Sequence, residues 1–311
     1  MEGLASAAGH QDRHEPLKDY CKGLLLPGER KSIEPMAARL NPSNVQATRQ
    51  SLHHLVAKAS WSDEALFQEV RHRVLPAMQK QGPVVAWIVD DTGFPKKGRH
   101  SVGVARQYCG QIGKQDNCRV AVSLSVATWS ASLPVAYRLY LPQEWAEDAK
   151  RRNNAEVPKE VEFQTKPEIA LDQIRAAVAA QVARGAVLAD AAEEWLLIEW
   201  PRGEPEPTKY WISTLPADTK LKALVKMAKH RWIIERDYQE LKQELGLGHF
   251  EGRNWRGFHH HATLCIAAYG FLVAERSRFS PSARAGHLGF AVPKPAADFR
   301  PRGSLRTGRA A

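Results

Sequence analysis

Three acidic residues stand where they could hold a metal ion. Asp90 ends the apolar run 83–89, and Asp190 ends the apolar run 186–189. Such runs predict buried strands, and an acid at the carboxyl end of a strand faces the crevice in which open α/β sheets bind ligands. Two such acids on neighbouring strands repel each other unless a hard cation lies between them. With Glu235, which lies in a predicted helix, they form a candidate metal site.

The helix predicted around Glu235 carries further residues that suit this chemistry. Arg231, Tyr238 and Lys242 lie at i−4, i+3 and i+7 from Glu235, which keeps all four on one face of the helix. Carboxylates can hold two divalent ions about 3.5–4 Å apart, which activate a water and stabilise the leaving oxygen of a phosphodiester. The basic side chains would bind the phosphate backbone, so the set predicts metal-assisted phosphoryl transfer.

Each of these residues also has an ordinary structural interpretation. A single Asp at a strand end commonly caps a loop, and a Glu four residues after an Arg commonly forms a solvated ion pair worth a few tenths of a kcal/mol. Lys96, Lys97 and Arg99 could be solvated loop charges. The combination of residues, rather than any one of them, favours the metal-site interpretation.

Other motifs do not fit a site. The segment 109–115, CGQIGKQ, lacks the first glycine of a phosphate-binding loop and has Gln115 where Ser or Thr is required. His259, His260 and His261 are consecutive, and on a helix they diverge by 100° per residue, so they cannot bind one ion together. We expect them to pack in the core or to begin a helix that faces DNA.

Composition narrows the class of protein. The chain of 311 residues has a formal net charge of +10, which favours polyanionic partners through counterion release; part of this excess comes from seven arginines and one lysine between Arg276 and Arg309. No stretch of 18 apolar residues predicts a membrane span, and the N-terminus does not resemble a signal peptide. The cysteines are scattered, which favours reduced thiols of a cytosolic protein; they are Cys21, Cys109, Cys118 and Cys265.

The hydrophobic pattern predicts a helical N-terminal region followed by an α/β region. Helices are expected to begin near Ser43 and at Ser62 within residues 1–80. The α/β region is predicted to run strand, strand, strand, helix, strand; the segments are 83–91, 119–129, 133–142, 167–185 with Gly185 as C-cap, and 186–190. An acidic loop is predicted over 144–162. A hairpin of 195–200 with 209–215 should follow. After it we expect two helices, over 218–245 and 258–276, and a disordered tail beyond 280.

Two long segments resemble a known family. Residues 89–118, VDDTGFPKKGRHSVGVARQYCGQIGKQDNC, and 230–253, HRWIIERDYQELKQELGLGHFEGR, are similar to DDE transposases of the IS4 superfamily, specifically the IS701-like group. The resemblance covers about residues 15–278. It implies an RNase H-like catalytic core, a mixed sheet flanked by helices, over 81–278. It also implies an N-terminal helical DNA-binding region over 1–80, while 279–311 is expected to be a disordered basic tail.

The resemblance also implies an activity and its partners. Members cleave double-stranded DNA at insertion-element terminal repeats and transfer the strand into target DNA, using Mg²⁺ or Mn²⁺, with two ions expected. We therefore expect a homodimer when the protein is bound to DNA. It is expected in the bacterial cytoplasm, associated with the nucleoid and not with a membrane.

The family signature assigns roles to individual residues. Its Asp-x-Thr/Ser pattern falls on Asp90 and Thr92, which leaves the role of Asp91 open, and its second Asp falls on Asp190. Its Tyr-x2-Arg-x3-Glu-x6-Lys pattern falls on Arg231, Glu235 and Lys242, with Ala228 in place of the Tyr. The resemblance therefore makes Asp90, Asp190 and Glu235 the catalytic metal ligands. Arg231 and Lys242 are expected to contact DNA, and Lys96 and Lys97 are additional candidates.

One departure from the family bears on activity. Members carry a long β-rich insertion between the second Asp and the Glu helix, whereas 45 positions separate Asp190 from Glu235 here. The short segment 191–217 retains only the predicted hairpin, which indicates an internal deletion. Three functions therefore remain open: a transposase, a catalytically impaired remnant that only binds DNA, and a stand-alone nuclease.

Overall fold

The computed structural model describes residues 1–188 and 219–278, together with the backbone of 195–199 and 209–213. Asp190 lies outside the described residues, as do the parts of segment 191–217 that flank these two backbone stretches and the predicted tail 279–311. No helix in the described ranges is long and apolar enough to cross a membrane.

The first eighty residues are helical, as the sequence predicts. The α-helices are α1 Glu2–Ala7, α2 His14–Leu25, α3 Ile33–Leu40, α4 Val45–His53, which continues as a π-helical turn His54–Lys58, and α5 Asp63–Gln79. The Ser62 side chain accepts a hydrogen bond from the backbone N–H of Ala65, so the predicted cap of α5 is confirmed. The cap of α4 is Asn44, one residue after the predicted position.

A mixed five-stranded sheet follows. Its strands are β1 Ala86–Pro95, β2 Ala105–Cys109, β3 Lys114–Ala127, β4 Ser132–Leu139 and β5 Ala186–Leu188. The order is β2-β3-β1-β5, and β4 pairs with β3 beyond the end of β2. The β1–β5 pair is parallel and the others are antiparallel. A separate antiparallel hairpin of β6 Trp195–Glu199 and β7 Lys209–Ser213 confirms the predicted hairpin.

The first strand corrects one prediction. Asp90 and Asp91 were expected at the end of the strand, but β1 continues to Pro95 and pairs with β3 along its whole length, as far as Cys118. The second half of β1 lacks an apolar run, so only the pairing with β3 reveals it. Asp90 therefore lies in the middle of a strand.

Several boundaries also differ from the prediction. The loop expected after the first strand contains β2, and the predicted acidic loop contains two short helices, α6 Gln143–Ala146 and α7 Ala149–Asn154. Helix α8, Lys166–Ala179, ends at Ala180 rather than at Gly185. The helix expected over 218–245 is divided into α9 Leu221–His230 and α10 Trp232–Gln243, and the last helix is α11 Trp255–Arg278.

Helices cover both faces of the sheet. On one face, Gln173 of α8 donates a hydrogen bond to the Val122 carbonyl oxygen at 3.0 Å. On the other face, the Phe258 ring of α11 packs edge-on against Phe94 of β1, and α10 lies beside it. A mixed sheet between helices is the α/β architecture that the sequence predicts, and it is consistent with an RNase H-like core.

Helix α11 joins the sheet to the N-terminal helices. Its residues Trp255 to Gly270 are almost all buried, and Gly270 lies against Val70 and Val74 of α5. Apolar side chains of the N-terminal helices, the sheet and α11 form one continuous core.

Candidate active site

Asp90 occupies a partly buried position on the face of β1 that α10 covers. Its side chain is 26% exposed, and the guanidinium of Arg231 lies 3.2 Å from its Oδ1 atom. Arg231 is the residue at which α9 gives way to α10, and it keeps helical backbone angles. The structure thus brings together two residues that are 141 positions apart in the chain and that the sequence assigns to one site.

Strand alternation separates Asp90 from its neighbour. Successive side chains of a strand point to opposite faces of the sheet, and the Asp91 carboxylate is paired with Lys166 of α8 at 2.6 Å. Asp91 therefore belongs to the α8 face, where it forms an ion pair with Lys166.

Helix α10 is fixed against the sheet by a chain of hydroxyl groups. The Tyr238 hydroxyl donates to Ser123 Oγ, and Ser123 Oγ donates to the backbone carbonyl oxygen of Asp90 at 3.3 Å. Burial raises the pKa of Tyr238, so the hydroxyl stays a donor at neutral pH. Ser123 is opposite Asp90 in β3, and only this pairing identifies it as part of the site.

Lys242 lies three turns after Arg231 and contacts the same strand. Its Nζ atom donates to the Gly93 carbonyl oxygen at 3.1 Å and lies 5.1 Å from the centre of the Phe94 ring. Burial lowers its pKa. Arg231 and Lys242 therefore place two positive charges along β1, at Asp90 and three residues beyond it.

Glu235 lies in the first turn of α10, one turn after Arg231, and is exposed. Its assignment as a metal ligand stays a prediction. In the described ranges, no three side chains of His, Cys, Asp or Glu are grouped so that they could hold a metal ion. Asp190 is outside those ranges; β5, which precedes it, is in register with β1 up to the pair Leu188 and Ile88.

Comparison with known proteins identifies the family. Residues 3–192 match the model of a family described as DDE superfamily endonuclease. The chain belongs to the DDE superfamily. Residues 144–271 also match the transposase DDE domain, so the matched regions of this DDE chain include the positions of Asp90, Asp190 and Glu235.

A curated relative places the DDE chain more narrowly. The chain is 30% identical over 156 residues to the probable transposase for insertion sequence element IS701 of Microchaete diplosiphon. Together with the two family matches, this supports a DDE transposase of the IS4/IS701 type. The alignment covers 50% of this chain and 37% of that relative, so the chain spans little more than a third of the relative's length.

The two lysines after β1 of the DDE chain differ in their surroundings. Lys96 is half-buried, and its Nζ atom donates to the Phe250 carbonyl oxygen at 3.0 Å. Burial, with the nearby positive charge of Arg119, lowers the pKa of Lys96 to about 8. Lys97 is exposed. Their contact with DNA stays a prediction.

A buried acid beside the site was not singled out from the sequence. Asp237 of α10 accepts hydrogen bonds from Ser132 Oγ of β4 and from the Tyr269 hydroxyl of α11, the latter at 2.7 Å. Burial raises its pKa to about 7. It follows Glu235 by two residues and points to the core rather than to Asp90, so it joins α10 to β4 and α11.

The three consecutive histidines are core residues, as the packing alternative predicts. All three are buried, and burial lowers each pKa to about 4. His259 accepts from the Leu139 N–H at 3.2 Å, while a ring nitrogen of His260 lies 3.0 Å from the Val56 carbonyl oxygen. His261 is hydrogen-bonded to the Tyr20 hydroxyl at 2.8 Å. The four cysteines are likewise buried and free.

Proposed function

We propose that this chain is a transposase-type endonuclease that cleaves DNA strands at insertion-element ends and transfers them to target DNA. The observation that carries the proposal is the pairing of Asp90 with Arg231 at 3.2 Å, in a partly buried position next to a parallel strand pair. A carboxylate beside an arginine on a basic helix face suits a reaction in which a metal ion and a phosphate group share one position.

The donor set fits a hard divalent cation. Mg²⁺ is usually held by one or two carboxylates, with water and substrate phosphates completing its shell, and Asp90 offers such a carboxylate. Leu188 pairs with Ile88, and Asp190 and Asp90 each follow two residues later in the sequence, which supports Asp190 as the second ligand. Glu235 is proposed as the third. Bound Mg²⁺ or Mn²⁺, with two ions expected, would lower the pKa of a water and stabilise the leaving oxygen.

The basic residues have separate proposed roles. Arg231 holds the Asp90 carboxylate in place, and its guanidinium can also bind a phosphate oxygen of the DNA strand that enters. Lys242, whose ammonium is held by the Gly93 carbonyl oxygen, supplies a second charge for the backbone of the same strand. Double-stranded DNA is the proposed substrate, and a homodimer on DNA stays a prediction.

The two adjacent acids of β1 give a matched test of the site. Asp90→Asn and Asp91→Asn each remove one negative charge from neighbouring residues that face opposite sides of the sheet. We expect Asp90→Asn to reduce Mn²⁺-dependent nicking of supercoiled DNA by about 10–100-fold, the loss that removing a group which supports a metal site typically causes. Asp91→Asn breaks an exposed ion pair worth about 0–1 kcal/mol and should retain activity.

A second candidate function is DNA binding without cleavage. The short separation of Asp190 and Glu235 favours it. It predicts that the unaltered chain retards DNA in a gel but does not nick it with either metal. Nicking that persists in Asp90→Asn would contradict the assigned site instead.

A further inference from the structure

A basic cleft lies between the N-terminal helices and the segment that joins α10 to α11. Its volume is about 790 Å³, and Tyr20 and His261 are among its lining residues. One wall is formed by the start of α3 and by α4, and the other by residues 249–254. Five lysine and arginine residues line it against two glutamates; the basic ones are Arg30, Lys31, Arg49, Lys58 and Arg253.

The walls of the cleft are tied to each other. The Lys31 N–H donates to His249 Nδ1 at 3.0 Å, which joins the α2–α3 connection to the opposite wall, and the Arg30 guanidinium pairs with Glu251 across the same gap. The Val102 N–H donates to the Arg253 carbonyl oxygen at 2.9 Å. The cleft is therefore preformed, and binding there needs little reorganisation.

The charges of the cleft suit an anion. Arg49 and Arg253 are exposed, and no carboxylate of the described ranges lies within ion-pair distance of either guanidinium. Arginine and lysine side chains at a surface are typical of contacts with nucleic-acid phosphates.

Lys96 connects the cleft to the strand that carries the candidate active site. Asp90 and Lys96 lie six residues apart along β1 and its continuation, and six residues of extended chain span roughly 20 Å. The Lys96 ammonium binds the carbonyl oxygen of Phe250, a residue of the cleft wall. The cleft wall is therefore fixed to the same strand as Asp90.

We infer that this cleft binds the phosphodiester backbone of DNA through Arg49 and Arg253, while the bond to be cleaved is held at Asp90. The inference rests on the proposed function for the identity of the polyanion. It adds a second contact region, formed jointly by the N-terminal helices and the segment before α11, that fixes how the duplex lies relative to Asp90.

The salt dependence of DNA binding tests the cleft. Each phosphate contact contributes about 0.9 to the slope of log affinity against log salt concentration. We expect the full-length Arg49→Gln/Arg253→Gln variant to lose about 2 from the magnitude of that slope and to bind a short fluorescent duplex about tenfold more weakly at physiological salt. The charge-preserving Arg49→Lys/Arg253→Lys variant should keep the slope.

The matched control removes the same charge elsewhere. Arg175→Gln/Arg184→Gln alters exposed arginines of α8 and of the connection to β5, on the other side of the sheet. An equal loss of slope in this control, or no loss in the cleft variant, would overturn the inference. Thermal unfolding of all variants checks that these exposed substitutions leave the fold unchanged.

The result is separable from that of the proposed function. Absence of nicking in every variant, with a slope that depends on Arg49 and Arg253, would reject the endonuclease and keep the cleft. Normal nicking with an unchanged slope would keep the endonuclease and reject the cleft. Where nicking occurs, ethylation interference should find phosphates away from the nick whose modification impairs binding of the unaltered chain and not of the Arg49→Gln/Arg253→Gln variant.

Discussion

Asp90 and Asp91 are chemically identical neighbours whose surroundings give them different roles. The first contacts Arg231 of α10, and the second contacts Lys166 of α8. The sequence locates the pair and, through the family signature, selects Asp90. It does not show what Asp91 does, because its partner is 75 residues away. Lys96 is a comparable case, since a residue in a basic loop sequence proves to be half-buried.

The half-buried ammonium of Lys96 should make DNA binding depend on pH. Its pKa is lowered to about 8, so the charge is present below pH 8 and is lost as the pH rises through it. We expect the affinity for duplex DNA to fall between about pH 7 and 9 and the salt slope to fall by about 1. Lys96→Arg should remove this dependence, because arginine stays protonated in that range.

Lys97→Arg is the matched control for Lys96, because it makes the same exchange at the exposed neighbour. Fluorescence anisotropy titrations at several pH values provide the measurement. A dependence that survives in Lys96→Arg, or disappears in Lys97→Arg, would show that another group is responsible.

Elements with a strong apolar pattern were predictable, and those defined by pairing were not. β3, β4 and α8 were found from alternation, proline boundaries and helical periodicity. The second half of β1 and the whole of β2 are polar or glycine-containing segments that become strands because β3 pairs with both. The break between α9 and α10 at Arg231 has no breaker residue, and nothing in the sequence explains it.

Gly185 is required by the approach of β5 to β1 rather than by a helix end. A Cβ atom at this position would lie 2.6 Å from the Ala86 nitrogen and 2.7 Å from the Val85 carbonyl carbon. We therefore expect Gly185→Ala to destabilise the protein by about 1–3 kcal/mol, as overpacking does, and to reduce nicking because β5 leads to Asp190. Urea unfolding and the nicking assay measure the two effects.

Gly98→Ala serves as the control for Gly185, because nothing lies within 4 Å of a Cβ atom added there. It should change the free energy of unfolding by less than about 0.5 kcal/mol. Equal effects of the two substitutions would mean that the contact between β5 and β1 is not the cause.

At the scale of the whole molecule, α11 connects parts that are far apart in the chain. His259 binds β4, His260 binds the π-helical turn after α4, and His261 binds Tyr20 of α2. The sequence predicts that three adjacent histidines cannot share an ion. It could not predict which partners they have, because two of these contacts span more than 200 residues.

These buried groups give the fold opposing responses to pH. The three histidines have folded pKa values of about 4, below the ordinary 6.5. Their contribution to the free energy of unfolding is therefore complete above pH 6.5 and is lost as the pH falls towards 4. Asp63 and Asp237 have folded pKa values of about 7, above the ordinary 3.8. Their contribution is complete below pH 3.8 and is lost as the pH rises through 7.

Asp237→Asn should therefore make the protein more sensitive to acid. Removing one carboxyl that stays protonated in the fold makes the free energy of unfolding fall more steeply on acidification, by about 1.4 kcal/mol per pH unit between about pH 4 and 7. Relative to the unaltered chain, the variant should gain most above pH 7, where the buried carboxylate would otherwise be charged. Urea unfolding across this pH range measures the difference, and Asp12→Asn, at an exposed acid, should leave the curve unchanged. Parallel curves for Asp237→Asn and the unaltered chain would show that Asp237 is ionised in the fold throughout this range, because its hydrogen bonds from Ser132 and Tyr269 then outweigh the cost of burial.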